Sequence, residues 1–251
     1  MDDDKILISN IIEKAKTTYM KDIITNTNFL DIRQLKLAEY NLNKNKYRYE
    51  IIKINEEMEK AIILFLPTYF CLEDININDY MSCIKISIKK GQKLTHRDYM
   101  GAIYNLGIKR DFIGDILLYD DNSACVFCIP KIAEYLKYNL YKIGKYEVNV
   151  DILKLEEIEI PKHMYREIEI NVKSNRLDSV TSEVTKISRN KMIEKILSKQ
   201  VFVNCEQTCD KSYLLKEGDI FSIKGVGKFK VGKNIGISKK GNLIYIIKEY
   251  I

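Results

Sequence analysis

The stretch RLDSVTSEVTKISRNKMIEKILSKQVFVN, residues 176–204, decides the fold of the C-terminal third of the chain. Its apolar residues recur at helical spacing in two short segments, residues 176–187 and 189–199. Ser188 separates the two segments, and its hydroxyl can cap the second helix. The stretch therefore predicts a pair of short helices, followed by a strand at VFV. The second helix buries one face, which comprises Met192, Ile193, Ile196 and Leu197.

Lysines occupy another face of the second predicted helix. Lys191, Lys195 and Lys199 follow one another at i, i+4 and i+8, which places them on one side of a helix. Further short strands are predicted downstream, at residues 201–203, 220–223, 229–231 and 243–247. The predicted module is thus a helix pair with a basic face, packed against a small sheet.

The positive charge of the protein is concentrated in this region. Residues 173–251 carry 16 Lys and Arg against 8 Asp and Glu, whereas the whole 251-residue chain has a net charge of only +6. Such a basic field suits a polyphosphate partner, since cations near phosphates release condensed counterions. A well-solvated basic surface without a partner fits the charge equally well.

The middle of the chain predicts the split order βαββαβ, which ferredoxin-like domains share with RNA-recognition motifs. Thr95 and Asp98 form the signature of a capping box at the start of the first helix. Pro130 opens the second helix, which we expect to run to Gly144. Aromatic side chains for stacking on RNA bases are nearly absent from the predicted central strands, which offer only Phe127. We therefore expect this domain to be a scaffold or a protein-facing surface.

The fold class predicted from the whole chain is α+β, in three domains. Residues 1–75 form a small N-terminal α/β unit, residues 76–160 the central RRM-like domain, and residues 173–251 a C-terminal domain of two helices and a small sheet. Residues 156–172 alternate charged residues with Ile and connect to the last domain as an extended strand.

Several motifs of the C-terminal third resemble the S4 RNA-binding domain in order and spacing: RLD (176–178), SR (188–189), VFVN (201–204) and LLKEGD (214–219). The next segment, KGVGKFKVG (224–232), is similar to a signature of one S4 branch, the YlmH (RqcP) family. Two upstream segments also resemble that family, THRDYMGAIYNLGIKRDFIGDIL (95–117) and TNFLD (27–31). The resemblance covers nearly the whole chain.

The apolar runs are far shorter than the roughly 20 residues that cross a bilayer, and the chain opens with acids rather than a basic signal-peptide start, so we expect a cytoplasmic protein. The resemblance implies an RNA-binding protein of the large ribosomal subunit, and we expect neither enzymatic activity nor a cofactor. YlmH-like proteins hold peptidyl-tRNA in place during ribosome-associated quality control, while stalled chains receive alanine tails. The implied partners are large-subunit rRNA and tRNA, with a further quality-control protein, and we expect a monomer without membrane contact. The implied RNA-binding residues are Arg176, Ser188, Arg189, Asn190, Lys191, Lys195, Lys199, Lys228 and Lys230.

Two departures from the S4 pattern concern turns. Lys199 stands where many S4 domains have Gly, and Cys205 stands where Gly or an aromatic residue usually follows the Asn. A second interpretation also applies to Arg176 and Arg189: either guanidinium can pair with Asp178 and hold the two helices together.

Other chemistries are less well supported by the sequence. CVFC (125–128) and CEQTC (205–209) could supply four thiolates to zinc, but the first pair lies in a predicted strand, so we expect no metal. The two histidines, His96 and His163, suggest no nucleophile and base pair. An S4-bearing pseudouridine synthase would need a catalytic Asp, for which Asp115 is the nearest candidate. A protein-only adaptor is the remaining alternative.

Overall fold

The structure is a computed structural model, and it describes residues 2–55, 58–70, 72–88, 94–159 and 165–250. The chain divides into two compact units, Met1–Pro161 and Lys162–Ile251. Helices and strands are mixed in both units, which confirms the α+β class. One residue named above, His163, lies outside the described residues. In the described residues, no helix combines the length and the apolar character that crossing a membrane requires.

The first unit begins with two helices and a small antiparallel sheet in the order β1-β3-β2. The second helix starts at a capping box, in which Asp31 accepts from the amide of Gln34 and the Gln34 side chain accepts from the amide of Asp31. The elements are α1 (Asp2–Lys21), β1 (Thr25–Asn26), α2 (Ile32–Lys44), β2 (Tyr49–Ile52) and β3 (Ile62–Phe65).

The rest of the first unit follows the predicted βαββαβ order. Its antiparallel sheet has the order β5-β6-β4-β8-β7, in which the four main strands take the ferredoxin-like arrangement. The elements are β4 (Ser82–Ile88), α3 (His96–Asn105), β5 (Ile113–Leu118), β6 (Ser123–Cys128), α4 (Pro130–Asn139), β7 (Lys142–Ile143) and β8 (Tyr146–Leu153).

The predicted end of α4 at Gly144 is wrong. The helix ends at Asn139, because the next residues turn into the short strand β7, which pairs with the start of β8. Gly144 lies in the turn between these strands, with a φ of 58° that favours glycine.

The first unit has four layers with three apolar interfaces. Helices α1 and α2 pack on one face of the small sheet, through residues such as Ile11, Leu42 and Phe65. The opposite face of the small sheet packs on the central sheet, where Phe29 and Phe127 belong to one cluster. Helices α3 and α4 cover the other face of the central sheet. Both faces of the central sheet are therefore buried.

The second unit is a six-stranded antiparallel sheet, in the order β11-β10-β12-β13-β14-β9, with two helices packed on one face. Its elements are β9 (Tyr165–Val172), α5 (Leu177–Thr185), α6 (Arg189–Leu197), β10 (Val201–Val203), β11 (Glu206–Gln207), β12 (Ile220–Ile223), β13 (Gly227–Ile237) and β14 (Leu243–Tyr250). The extended strand predicted before the S4 motifs is β9. It does more than connect, because it pairs along its whole length with β14.

Both helices of this unit are shorter than predicted. Helix α5 ends at Thr185, because Lys186 takes a left-handed conformation with a φ of 56°. Helix α6 ends at Leu197, so Lys199 lies beyond the helix. Ser188 occupies the N-cap position of α6 as predicted, but its hydroxyl makes no capping hydrogen bond.

Candidate nucleic-acid interface

A buried carboxylate, Asp178, joins the starts of the two helices in the second unit. Its side chain is only 2% exposed. Arg176 donates from Nε to Oδ1 at 3.1 Å and from Nη2 to Oδ2 at 3.3 Å. Arg189 donates from Nη2 and Nε to Oδ2, at 2.8 and 3.1 Å. The pairing that the sequence left as an alternative is therefore present for both arginines.

The electrostatics of this cluster favour an ionised Asp178. Burial alone raises the pKa of the carboxyl, but the hydrogen bonds and charges of Arg176 and Arg189 outweigh it and hold the pKa below its ordinary value. Both arginines remain partly accessible to solvent despite this contact, since the side chain of Arg176 is 35% exposed and that of Arg189 is 55% exposed. Arg189 in particular combines a structural contact with an accessible positive charge.

The first turn of α6 presents polar and basic side chains to solvent. Ser188, Arg189, Asn190 and Lys191 are all exposed, whereas Met192 is buried against the sheet. The first amides of a helix have no intrahelical acceptor, and the helix dipole makes this end positive. The exposed side chains and the helix end together form a surface suited to phosphate.

The two remaining lysines of the predicted stripe differ from Lys191. Lys195 is half-buried, and its Nζ donates to Oε1 of Gln200 at 3.1 Å. Lys199 is exposed and has a φ of 59°. The amide of Lys199 donates to the carbonyl of Ile196, and the amide of Gln200 donates to the carbonyl of Lys195. These two bonds form a Schellman motif, which explains why glycine is common at the position of Lys199.

Two of the segments that resemble S4 motifs meet at the end of β10. Asn204, at the end of β10, donates from Nδ2 to Oδ1 of Asp219 at 2.8 Å and accepts from the amide of Ile220 at 3.0 Å. Asp219 also accepts from the amide of Lys216 at 2.9 Å. The motifs VFVN and LLKEGD therefore stabilise each other, and their polar residues have a structural role.

Lys228 and Lys230 lie on the opposite face of the sheet from the helices. Phe229 and Val231 of the same strand belong to the core beneath α5 and α6. Side chains alternate along a strand, so the two lysines point away from the helices. Nζ of Lys228 lies 5.0 Å from the ring centroid of Tyr250. The structure thus brings seven of the nine candidate residues to the helix side of this unit and separates the other two.

Asp115, the catalytic candidate of the enzyme alternative, is half-buried between segments of the first unit. It accepts from the amide of Lys60 at 3.1 Å, and Nζ of Lys60 donates to the carbonyl of Ile113 at 2.7 Å. Burial raises the pKa of Asp115, and the bond from Lys60 partly offsets the rise. These contacts give Asp115 a structural role in joining the region around Lys60 to β5.

The cysteines divide into a buried and an exposed group. Cys125 and Cys128 lie in β6, as predicted, and are buried with Cys83, whereas Cys205 and Cys209 are exposed. In the ranges that the structure describes, no three His, Cys, Asp or Glu side chains are grouped so that they could hold a metal ion. The absence of a metal remains a prediction.

Two features, one in each unit, were missed by sequence reasoning. Asp178 was considered only as a partner of the arginines, although its burial makes it the centre of the cluster. The RLD and SR motifs carry this signal, since an Asp between two arginines in a helix pair invites ion pairing. Exposed tyrosines on α4 were missed because helical spacing identifies the buried face of a helix more readily than a binding surface on its exposed face.

Comparison with known families first identifies the class of the central domain. Residues 77–157 match the family model described as "Putative RNA-binding domain in YlmH". This range covers β4 to β8, which form the central sheet with α3 and α4. The match assigns the domain to a class of RNA-binding domains.

Two relatives extend the comparison beyond this domain. The chain is 24% identical over 238 residues to the ribosome-associated protein quality control protein P2 of Bacillus subtilis (strain 168), covering 95% of this chain and 92% of that protein. A solved structure, the cell division protein ylmH from Streptococcus pneumoniae, aligns with a TM-score of 0.53 and 21% identity, over 63% of this chain and 96% of that one. Residues 77–157 are therefore similar to a domain of the YlmH family, and the chain over most of its length is similar to a protein named for ribosome-associated quality control.

Proposed function

We propose that this protein is an RNA-binding factor of ribosome-associated quality control, and that the start of α6 is its anchor on RNA. The observation that carries the proposal is the exposed first turn of α6, which is positioned by the buried Asp178 cluster. The concentration of positive charge in residues 173–251 supports the same assignment. The relative from Bacillus subtilis is named as a ribosome-associated protein quality control protein, which agrees with the quality-control part of the proposal.

The finer assignment is to the large ribosomal subunit and tRNA, with the protein acting as a monomer in the cytoplasm. In this proposal Lys191, Asn190 and Ser188 contact the RNA directly, because they are exposed at the positive end of α6. Arg176 and Arg189 contribute charge while holding Asp178. Lys195 and Lys199 extend the surface along the helix, and Lys228 and Lys230 would meet a separate part of the RNA.

The decisive experiment is cosedimentation of the full chain with 30S, 50S, 70S and stalled 50S particles. We expect association with 50S particles, and strongest association with the stalled form. Lys191→Glu should reduce it by at least tenfold, since the change removes one phosphate contact and adds repulsion. Arg189→Glu is a poor test, because it would place a second carboxylate against buried Asp178 and disturb folding.

A matched control is Lys239→Glu, which makes the same charge change in the turn between β13 and β14 of the same unit. We expect this variant to bind nearly as well as the unmodified protein. Equal loss in both variants would show that only overall charge matters, and full binding by Lys191→Glu would refute the anchor. Nuclease treatment that leaves the association intact would favour the protein-only adaptor instead.

A further inference from the structure

The central domain cannot bind RNA in the manner of an RNA-recognition motif. Such motifs stack bases on aromatic side chains of an open sheet face. Here one face is covered by α3 and α4, and the other packs on the small sheet. The packing is close: a Cβ added to Gly114 of β5 would lie 2.7 Å from Cε1 of Phe29 and 2.9 Å from Cβ of Phe127. Any RNA contact of this domain must use another surface.

Helix α4 and the segment after it expose three tyrosines. The side chains of Tyr135, Tyr138 and Tyr141 are 42%, 76% and 70% exposed. The opposite side of α4 is firmly packed, with Ala133 and Leu136 in the core. Large aromatic side chains held on a rigid helix without burial are characteristic of binding surfaces, since they offer area at low entropic cost.

Lysines accompany these tyrosines. At 100° per residue, Lys131, Tyr135 and Tyr138 lie within about 60° of arc on α4. Across residues 130–146 the chain carries four lysines and a single acidic residue. The lysines are Lys131, Lys137, Lys142 and Lys145. A partner for this surface should therefore carry negative charge and flat faces for stacking.

We propose that the α4 tyrosine surface, formed by Tyr135, Tyr138, Tyr141, Lys131 and Lys142, binds single-stranded RNA. Unpaired bases stack on the rings of Tyr138 and Tyr141, and the lysines contact the phosphates between them. Stacking tolerates any base, so the surface has little sequence preference. The inference rests on the proposed RNA-binding function but concerns a different domain and a different kind of RNA from the α6 anchor.

The test uses the full chain and two fluorescent probes, an unstructured single-stranded RNA and an RNA hairpin without a long loop. We expect Tyr138→Ala and Tyr141→Ala each to weaken single-stranded binding about tenfold. Tyr138→Phe should restore it, since the ring is retained, whereas Tyr138→Leu should not. The matched control is Tyr40→Ala, which removes a tyrosine that is 68% exposed on α2.

The two probes separate this inference from the proposed function. Lys191→Glu should weaken binding of the hairpin. When Tyr138→Ala is added to that variant, it should still weaken binding of the single-stranded RNA, so the two surfaces are tested independently. Single-stranded binding that survives the combined change of Tyr138 and Tyr141 to Ala would overturn the inference. So would equal losses in Tyr138→Ala and Tyr40→Ala, or a Tyr138→Phe variant as weak as Tyr138→Ala. Ultraviolet crosslinks from the RNA to peptides of α4 would support it.

Discussion

Lys199 is a residue at which stability and binding should oppose each other. A side chain in the left-handed region costs on the order of 1–3 kcal/mol of stability, which replacement by Gly removes. Gly also raises the conformational entropy of the unfolded chain, and this offsets about 0.4–1 kcal/mol of the gain. We expect Lys199→Gly to raise the free energy of unfolding by about 1 kcal/mol. The same variant should bind RNA less tightly, since a positive charge is lost. Urea unfolding and RNA titration measure the two effects.

The control for this prediction is Lys199→Ala, which loses the same charge but keeps the strained backbone. It should lower RNA affinity as much as Lys199→Gly without raising stability. If Ala and Gly stabilise equally, the gain does not come from the left-handed conformation of the Schellman motif.

Asp178 predicts a dependence of stability on pH. Its pKa is lower in the folded protein than in the unfolded chain, where it is about 3.9. The stabilisation is therefore complete above the unfolded value and is lost as the pH falls through the folded value. We expect Asp178→Asn to cost about 2 kcal/mol at neutral pH, below the roughly 3–5 kcal/mol typical of a fully buried pair, because both arginines are partly exposed.

The measurement is the free energy of unfolding at pH 7, 5, 4 and 3 for both proteins. The difference between them should shrink below pH 4. Glu183→Gln, which removes the exposed pair with Lys186, serves as the control and should change stability little at any pH. A constant difference between the two proteins down to pH 3 would contradict the assigned charge state.

At the level of elements, the position of β9 determines which fragment of the chain can stand alone. Strand β9 covers the edge of β14 along eight paired residues. A fragment that begins at residue 173 lacks β9 and exposes this edge, which promotes association between chains. We expect a 165–251 fragment to be folded and monomeric, and a 173–251 fragment to self-associate. Size-exclusion chromatography and circular dichroism distinguish these outcomes, and a monomeric, fully folded 173–251 fragment would show that β9 is dispensable.

Local patterns predicted most elements, but they failed where a tertiary contact decides the outcome. Helical spacing identified α6, and a strand was expected before α5, because both signals are carried by adjacent residues. The pairing of that strand with β14 could not be predicted, since alternation of Ile and charged residues indicates a strand but not the strand with which it pairs. The ends of α5 and α6 were missed because Lys186 and Lys199 adopt left-handed conformations that lysine rarely takes.

The candidate surface shows the same division at the scale of the whole molecule. Motifs and charge led to the start of α6, and the structure places seven of the nine candidates on that side of the sheet. Lys228 and Lys230 were included because they lie in a basic segment, although strand alternation turns them to the other face. The burial of the central sheet against the small sheet could not be predicted either, because the sequence of β6 does not indicate that Phe127 packs there.

The pairing of β9 with β14 also constrains how the second unit acquires its structure during synthesis. Tyr165 pairs with Tyr250, about 85 positions later, whereas the other strand pairs in this sheet join segments much closer in sequence. Such a distant contact closes a long loop, which slows folding, and here it closes only after β14 has left the ribosomal exit tunnel. Until then β9 cannot pair with β14. The outer strand pair should therefore be the last part of the sheet to gain protection from hydrogen exchange during refolding.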